Sequence, residues 1–169
     1  GGAGAYSDGK FNITTEFGGW LDEYIGDDAL LDLINYVDNI NLGFGATKVI
    51  TDPNTPKVKE IELKAMSYGV KLLRSKVRHL GTEENIKILT KIYEYLKPKC
   101  DFIFENPVDQ LIVKDSQIEG VKLADGSLYN AKYVVLGVGR EGSKWLKETL
   151  EKNNIKMENN RVDIGVRVE

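Results

Sequence analysis

The apolar residues change their spacing near Pro98, and this change constrains the fold more than any other feature of the sequence. Before Pro98 they recur every three or four positions, as in helices, whereas after it they alternate, as in strands. The alternation predicts strands at 102–104, 108–113, 118–123 and 133–138, followed by a helix over 143–153. The turn sequences Asp115-Ser116 and Asp125-Gly126 indicate that the middle strands form an antiparallel meander.

The last of these strands contains the run Tyr133-Val134-Val135-Leu136, which is apolar throughout. Such a run is typical of a strand buried on both faces of a parallel sheet. A strand at 102–104 that follows a helix predicts a crossover unit in the same sheet. The sequence therefore indicates an α/β fold, with α+β character inside this chain. Ligands of such sheets bind at the carboxyl ends of the strands, where Gly137-Val138-Gly139-Arg140 lies.

Three helices are predicted before Pro98. The first ends at Gly43 and carries one apolar face with an amide at its end: Leu30, Leu33, Ile34, Val37 and Asn41. The second begins at Pro56, with Thr55 as its N-cap. The third begins with Thr82 as its cap. It is predicted to face the core through Ile86, Leu89, Tyr93 and Leu96, with Ile88 and Ile92 flanking that face. A short strand is predicted over 70–77.

Composition excludes several classes of function. The chain of 169 residues has a net charge of −3, so it has no global basic field to attract a nucleic acid. Cys100 and His79 are single residues of their kind, which excludes a thiol redox pair and a zinc site of the usual thiolate or histidine type. No apolar run approaches the roughly 18 residues of a membrane span. We expect a cytoplasmic protein without a metal, a nucleic-acid partner or a membrane partner.

The glycine-rich opening, residues 1–10, is the first candidate site. Its glycines allow backbone N–H groups to approach a phosphate or a flat ring, and Ser7 and Lys10 add a hydroxyl and a cation. The alternative is a plain loop, because no strand precedes it as a dinucleotide-binding fingerprint requires. The turn at Gly137 and Gly139 has the same two interpretations, a cofactor crossing or an ordinary strand-to-helix turn.

His79 is a second candidate, because an imidazole next to a helix start can act as an acid or a base near neutral pH. The alternative is a structural or simply exposed histidine. The preceding basic stretch can contact phosphates, or it can be one solvated strand face. It consists of Lys71, Arg74, Lys76 and Arg78.

Three segments together resemble the bacterial FAD-dependent dehydrogenases of largely unassigned substrate. They are Gly1-Gly2-Ala3-Gly4-Ala5-Tyr6-Ser7-Asp8-Gly9-Lys10, His79-Leu80-Gly81-Thr82 and Ile164-Gly165-Val166-Arg167-Val168-Glu169. The order of strand, meander, Val134-Val135-Leu136-Gly137-Val138-Gly139-Arg140 and helix also resembles that family. The resemblance spans nearly the whole chain and depends on order and spacing more than on any one motif.

The resemblance implies the three-layer FAD-binding fold of glutathione reductase and its relatives. It divides the chain into a cofactor loop at 1–28, a helix-rich substrate side at 29–80 and part of the FAD-binding domain at 81–169. It implies that FAD is bound by Gly2, Gly4, Ser7, Asp8, Lys10, Val108, Gly137, Gly139 and Arg140. By the same analogy, His79 and Thr82 lie near the flavin and are candidate catalytic residues.

The resemblance also implies what is missing. The chain lacks the initial strand, the GxGxxG turn and the acidic residue that hold the adenosine ribose in such proteins. It starts in a glycine loop without methionine and ends in an alternating strand pattern at 162–169, so we expect a central fragment of a longer flavoenzyme. Alone, it is expected to be inactive and to bind FAD weakly.

The expected reaction is hydride transfer through the flavin, because no thiol pair is present to carry electrons. The substrate is a small molecule of unassigned structure. One alternative is a flavoprotein of the same fold that modifies RNA or reduces an isoprenoid. The other is a non-catalytic module that binds an anionic partner through residues 70–79.

Overall fold

A computed structural model describes residues 3–159 and Gly165. The chain divides into two compact units, residues 1–101 and residues 102–169. Helices and strands occur together, so the expected mixture of α and β structure is confirmed at that level. The division between the units falls inside the predicted segment 81–169.

The first unit contains four helices and a two-stranded antiparallel sheet among its described residues. Its elements are, in chain order, a 3₁₀ turn Ala3–Tyr6, β1 Lys10–Ile13, α1 Asp22–Ile25, α2 Asp27–Gly43, α3 Pro56–Ser67, β2 Lys76–His79 and α4 Thr82–Leu96. The predicted helices α2 and α3 are confirmed. Thr55 caps α3 as expected, because its Oγ1 accepts a hydrogen bond from the backbone N–H of Val58 at 3.2 Å.

The strand β2 is shorter than the predicted strand at 70–77 and begins only at Lys76. It forms where partners exist on both sides. β1 runs antiparallel to it, and Thr51 exchanges two backbone hydrogen bonds with Val77, at 2.9 and 3.1 Å. Residues 70–75 have no such ladder partner among the described residues, so the basic alternation there does not become a strand.

The core of the first unit consists of Ala46, Leu80 and Ile88, with Phe11, Leu42, Phe44 and Ile92 packed around them. The predicted buried face of α4 is wrong for Ile86 and Leu89, which are exposed, whereas Tyr93 and Leu96 are partly buried. Ile88, predicted to flank that face, is buried. The buried face instead follows Asn85, Ile88 and Ile92. The apolar residues of α4 form two overlapping faces of the helix. Contact with Leu80 and Phe44 determines which of the two faces is buried.

The second unit contains a three-stranded antiparallel sheet and one helix among its described residues. The strands β3 Val108–Lys114, β4 Gln117–Leu123 and β5 Leu128–Asn130 follow one another in space as in sequence. The predicted meander is therefore confirmed, as is the helix α5 Ser143–Lys152. Asp115 and Ser116 both have positive φ, as the tight β3–β4 hairpin turn requires.

Two predicted strands are wrong. Residues 102–104 and 133–138 are extended or irregular, and no described residue pairs with them in a ladder. Val135, expected in a sheet buried on both faces, is 94% exposed. The apolar run predicts burial, but a strand also needs neighbours that accept its backbone hydrogen bonds. The predicted strand at 162–169 lies outside the described residues except for Gly165.

A buried ion pair connects the sheet of the first unit to α2. Arg78 of β2 is 2% exposed, and its Nε and Nη2 donate to the two carboxylate oxygens of Asp38 at 2.6 and 2.7 Å. Its Nη1 donates to the backbone oxygen of Thr47. Asp38 thereby raises the pKa of the Arg78 guanidinium above its ordinary value. The bidentate geometry of this ion pair fixes the position of β2 against α2.

Replacing Arg78 with methionine is expected to lower the free energy of unfolding of the first unit by about 3–5 kcal/mol, because the Asp38 carboxylate would remain buried without its partner. This loss is measured by urea unfolding, followed by the fluorescence of Trp20 in a Trp145→Phe background. Arg74→Met is the control. Arg74 pairs with the half-exposed Glu62, so its loss should cost less than about 1 kcal/mol. Equal losses of unfolding free energy in Arg78→Met and Arg74→Met would contradict the cost assigned to the unpaired, buried Asp38 carboxylate.

Gly120→Ala is expected to destabilise the sheet of the second unit by about 2–3 kcal/mol. Gly120 has a φ of +155°, and an added Cβ would lie 2.0 Å from the backbone oxygen of Tyr129 on the neighbouring strand. Urea unfolding followed through Trp145 in a Trp20→Phe background reports this loss. In the control Gly137→Ala, the added methyl group would meet nothing within 4 Å, and the unfolding midpoint should hardly move.

Candidate functional site

The pairing of β1 with β2 brings together the glycine-rich opening and the His79 segment. Lys10, at the start of β1, lies opposite His79, at the end of β2. The chain then turns through Leu80 and Gly81 into α4. Two segments about 70 residues apart in the sequence therefore meet at one end of the two-stranded ladder.

Gly9 holds the two segments in close contact. Its φ is +65°, and a Cβ built there would lie 3.1 Å from the Cβ atoms of both Leu80 and Asn85. Its backbone oxygen accepts a hydrogen bond from the N–H of Leu80 at 3.0 Å. A side chain at this position would meet both an unfavourable backbone conformation and a lack of space. The loop consequently lies directly against the start of α4.

Ser7 connects the same loop to the helix. Its Oγ accepts a hydrogen bond from the N–H of Gly9 at 3.2 Å and a long one from Nδ2 of Asn85 at 3.5 Å. Asn85 is almost completely buried, whereas Ser7 is exposed. The Ser7 hydroxyl therefore lies at the surface but is oriented by its hydrogen bonds with Gly9 and Asn85.

Asp8 and Lys10 form an exposed ion pair at the same place, with Nζ and Oδ2 2.8 Å apart. The hydrogen bond from Lys10 lowers the pKa of the Asp8 carboxyl, and the charge of nearby His79 acts in the same direction. Both side chains, together with His79, are open to solvent. The arrangement offers a hydroxyl, a carboxylate, an ammonium and an imidazole on one surface.

Thr82 does not cap α4 as predicted. The N-cap is Gly81, with a φ of 80°, and Thr82 is the first helical residue, with no side-chain cap. Glycine takes this backbone conformation without strain, whereas a threonine would not. The backbone oxygen of Gly81 accepts the hydrogen bond from the N–H of Asn85. Thr82, three residues after His79 in the sequence, is thus left at an exposed position.

The remaining predicted cofactor residues belong to the second unit, apart from two glycines. Gly2 lies outside the described residues, and Gly4 is part of the 3₁₀ turn. Val108 is the half-buried first residue of β3, paired with Leu123. Gly137 and Gly139 line a small apolar pocket of about 280 Å³ beside α5, and the exposed Arg140 follows them. In each unit the structure therefore groups some of the predicted residues.

The basic stretch is mostly engaged by acidic partners. Arg74 pairs with Glu62 and also donates to Asn54, while Lys76 lies 3.8 Å from Asp52. Arg78 is buried in its pair with Asp38. Three of the four cations predicted to form one solvated face are therefore neutralised locally, and one of them is not solvated at all.

Sequence reasoning missed the Arg78–Asp38 pair and the buried amide of Asn85. Both involve polar residues within otherwise apolar helical stripes, Asp38 beside Val37 and Asn85 one turn before Ile88. A polar residue at such a position is buried only if it has partners. A polar residue within an apolar helical stripe was therefore the available signal. It indicates that Asp38 has a partner but does not identify Arg78, 40 residues away.

Neither a metal centre nor a membrane span is found in the part of the chain that the structure describes. No three histidine, cysteine, aspartate or glutamate side chains there come together in a way that would hold a metal ion. None of the helices there has both the length and the apolar character that crossing a membrane requires.

Comparison with known proteins adds no relative. No protein-family model matches the chain, and a search of curated proteins finds no significant match. The resemblance to flavin-dependent dehydrogenases is therefore carried by the quoted segments alone.

Lys10→Met is expected to raise the pKa of Asp8 toward its ordinary value, because both the hydrogen bond and the charge are removed. The carboxyl carbon shift of Asp8, followed by NMR against pH, measures it. Since folding lowers this pKa, the stabilisation by the pair is present above the unfolded pKa and is lost as pH falls through the folded value.

Lys76→Met is the matched control, because Lys76 lies opposite Ile13 at the other end of the same ladder. It removes the same charge but should leave the titration of Asp8 unchanged. A similar shift in both variants would show that the effect is one of net charge and not of the Asp8–Lys10 contact.

Proposed function

We propose that the chain is part of an FAD-dependent oxidoreductase that transfers hydride between a small-molecule substrate and the flavin. The observation that carries this proposal is the meeting of the loop of Ser7, Asp8 and Lys10 with His79. The resemblance assigns the loop to the cofactor and His79 to its surroundings. These assignments require the two segments to be neighbours, and the pairing of β1 with β2 makes them so.

The resemblance also assigns Gly137 and Gly139 of the second unit to the cofactor, and the backbone there is open by itself. A Cβ built at Gly137 or at Gly139 meets nothing within 4 Å, so the backbone there is open to an approaching group. Gly139 has a φ of +64°, which favours glycine for conformational reasons as well. A flat or phosphate-bearing group is expected to approach such backbone closely.

The roles of the individual residues follow from their chemistry. Lys10 neutralises a phosphate, and Ser7 donates or accepts a hydrogen bond. FAD, when bound, supplies the group that accepts or gives the hydride. His79 and Thr82 are candidates to orient the substrate or to hold a proton at the imidazole or the hydroxyl.

The non-catalytic alternative has less support. An anionic partner at residues 70–79 would have to displace Asp38 to reach Arg78, whereas Lys76, like Lys10, lies in an exposed ion pair. Arg78 in particular is buried, and its release would open the contact between β2 and α2.

Flavin content tests the proposal. The complete gene product that contains this chain should show flavin absorbance bands that are bleached on reduction. Lys10→Met should lower FAD affinity about tenfold, as expected for the loss of one charge-assisted hydrogen bond, and Lys76→Met on the same ladder should leave it unchanged. A colourless protein that cannot be reconstituted with FAD would overturn the proposal. Equal affinity in the two variants would overturn the role of Lys10.

A further inference from the structure

A row of apolar side chains lies open to solvent along α2. Leu33, Tyr36, Val37 and Ile40 follow one another at helical spacing, so they share one face of the helix. Each of the four is between 37% and 64% exposed. We call these four residues the exposed face of α2. A helix face of this kind gains free energy when a partner covers it.

The segment that contains this face is strongly acidic. Residues 11–47 carry seven carboxylate side chains and no lysine, arginine or histidine. Their negative charge exceeds the net charge of −3 of the whole chain. The field around the exposed face of α2 therefore attracts positively charged groups.

Two of these carboxylates belong to α2, and the described part of the chain does not neutralise them. Asp28 and Asp32 are exposed, and neither forms an ion pair within residues 3–159. In contrast, Asp38 of the same helix is held by Arg78. Asp28 and Asp32 are four residues apart, so they lie on one side of the helix and repel each other. A cation from a partner would relieve this repulsion.

The charge of this surface distinguishes between possible occupants. A second copy of the chain would bring the carboxylates of two α2 helices together, and like charges across an interface are costly. A membrane surface is disfavoured for the same reason, because the lipids of the cytoplasmic leaflet are anionic. A helix with apolar residues on one face and lysine or arginine beside them complements both the apolar row and the carboxylates.

We propose that the exposed face of α2 binds a basic amphipathic helix of another protein. The apolar side of that helix covers Leu33, Tyr36, Val37 and Ile40. Its cations pair with Asp28 and Asp32. The proposal concerns only the first unit and does not depend on flavin binding.

Two helical peptides of opposite charge test the proposal. One carries leucine on one face and lysine on the other, and its counterpart has glutamate in place of every lysine. Calorimetric titration of the complete gene product should show the lysine peptide binding about a hundredfold more tightly, with an affinity that falls as the salt concentration rises. The backbone amide NMR signals of the exposed face of α2 should shift on binding, a measurement that needs no variant.

Two variants, each with a matched control, locate the binding site. Leu33→Gln should weaken binding of the lysine peptide about tenfold, because less apolar surface is buried. Leu63→Gln should leave binding unchanged, since Leu63 is 59% exposed but lies on α3. Asp32→Asn should weaken binding about threefold, as expected for one exposed ion pair. Asp101→Asn removes the same charge at an exposed position outside α2 and should have no effect.

Equal affinities for the two peptides, no binding of either, or equal losses in a variant and its control would refute the proposal. Self-association of the chain that Leu33→Gln abolishes would show that a second copy covers the face instead. Tighter binding to vesicles that contain phosphatidylserine than to the lysine peptide would assign the face to a membrane. Binding by the chain of 169 residues but not by the complete gene product would show that another part of the same protein covers it. None of these results depends on flavin, so the oxidoreductase proposal stands or falls separately.

Discussion

The buried contact between Arg78 and Asp38 is the interaction on which the first unit depends. It joins a strand of only four residues to a helix of 17, and a two-stranded ladder of this length would be marginal alone. By adding Thr47 as a third partner, the guanidinium also ties down the segment after α2. The position of His79 follows directly, because it is the next residue of the strand.

Local chemistry predicted the elements whose signals lie within a few residues. The cap of Thr55 on α3, the hairpin turn at Asp115-Ser116 and the helix α5 all follow from neighbouring side chains and backbone conformation. These features need no information from distant parts of the chain. The same holds for the end of α2, which was predicted at Gly43 and lies there.

The errors arose where a distant partner decides the outcome. Residues 133–138 have the composition of a buried strand, but composition does not supply the neighbouring strand that makes one. On α4, packing against Leu80 selected the face of Ile88 over that of Ile86. For the candidate site, the sequence named Ser7, Lys10 and His79 but not the buried Asn85 beneath them, since burial of an amide depends on tertiary contacts.

Around Gly9, the path of the backbone and the chemistry of the exposed side chains are determined by different residues of the loop. At Gly9 a side chain would be both strained and crowded against Leu80 and Asn85, whereas Asp8 and Lys10 carry exposed side chains. Substitution of Asp8 or Lys10 can alter charge while keeping the hydrogen bonds that Ser7 Oγ accepts from Gly9 and Asn85. Single substitutions at Asp8 and Lys10 can therefore change the charge of the loop, while Gly9 keeps its backbone against Leu80 and Asn85.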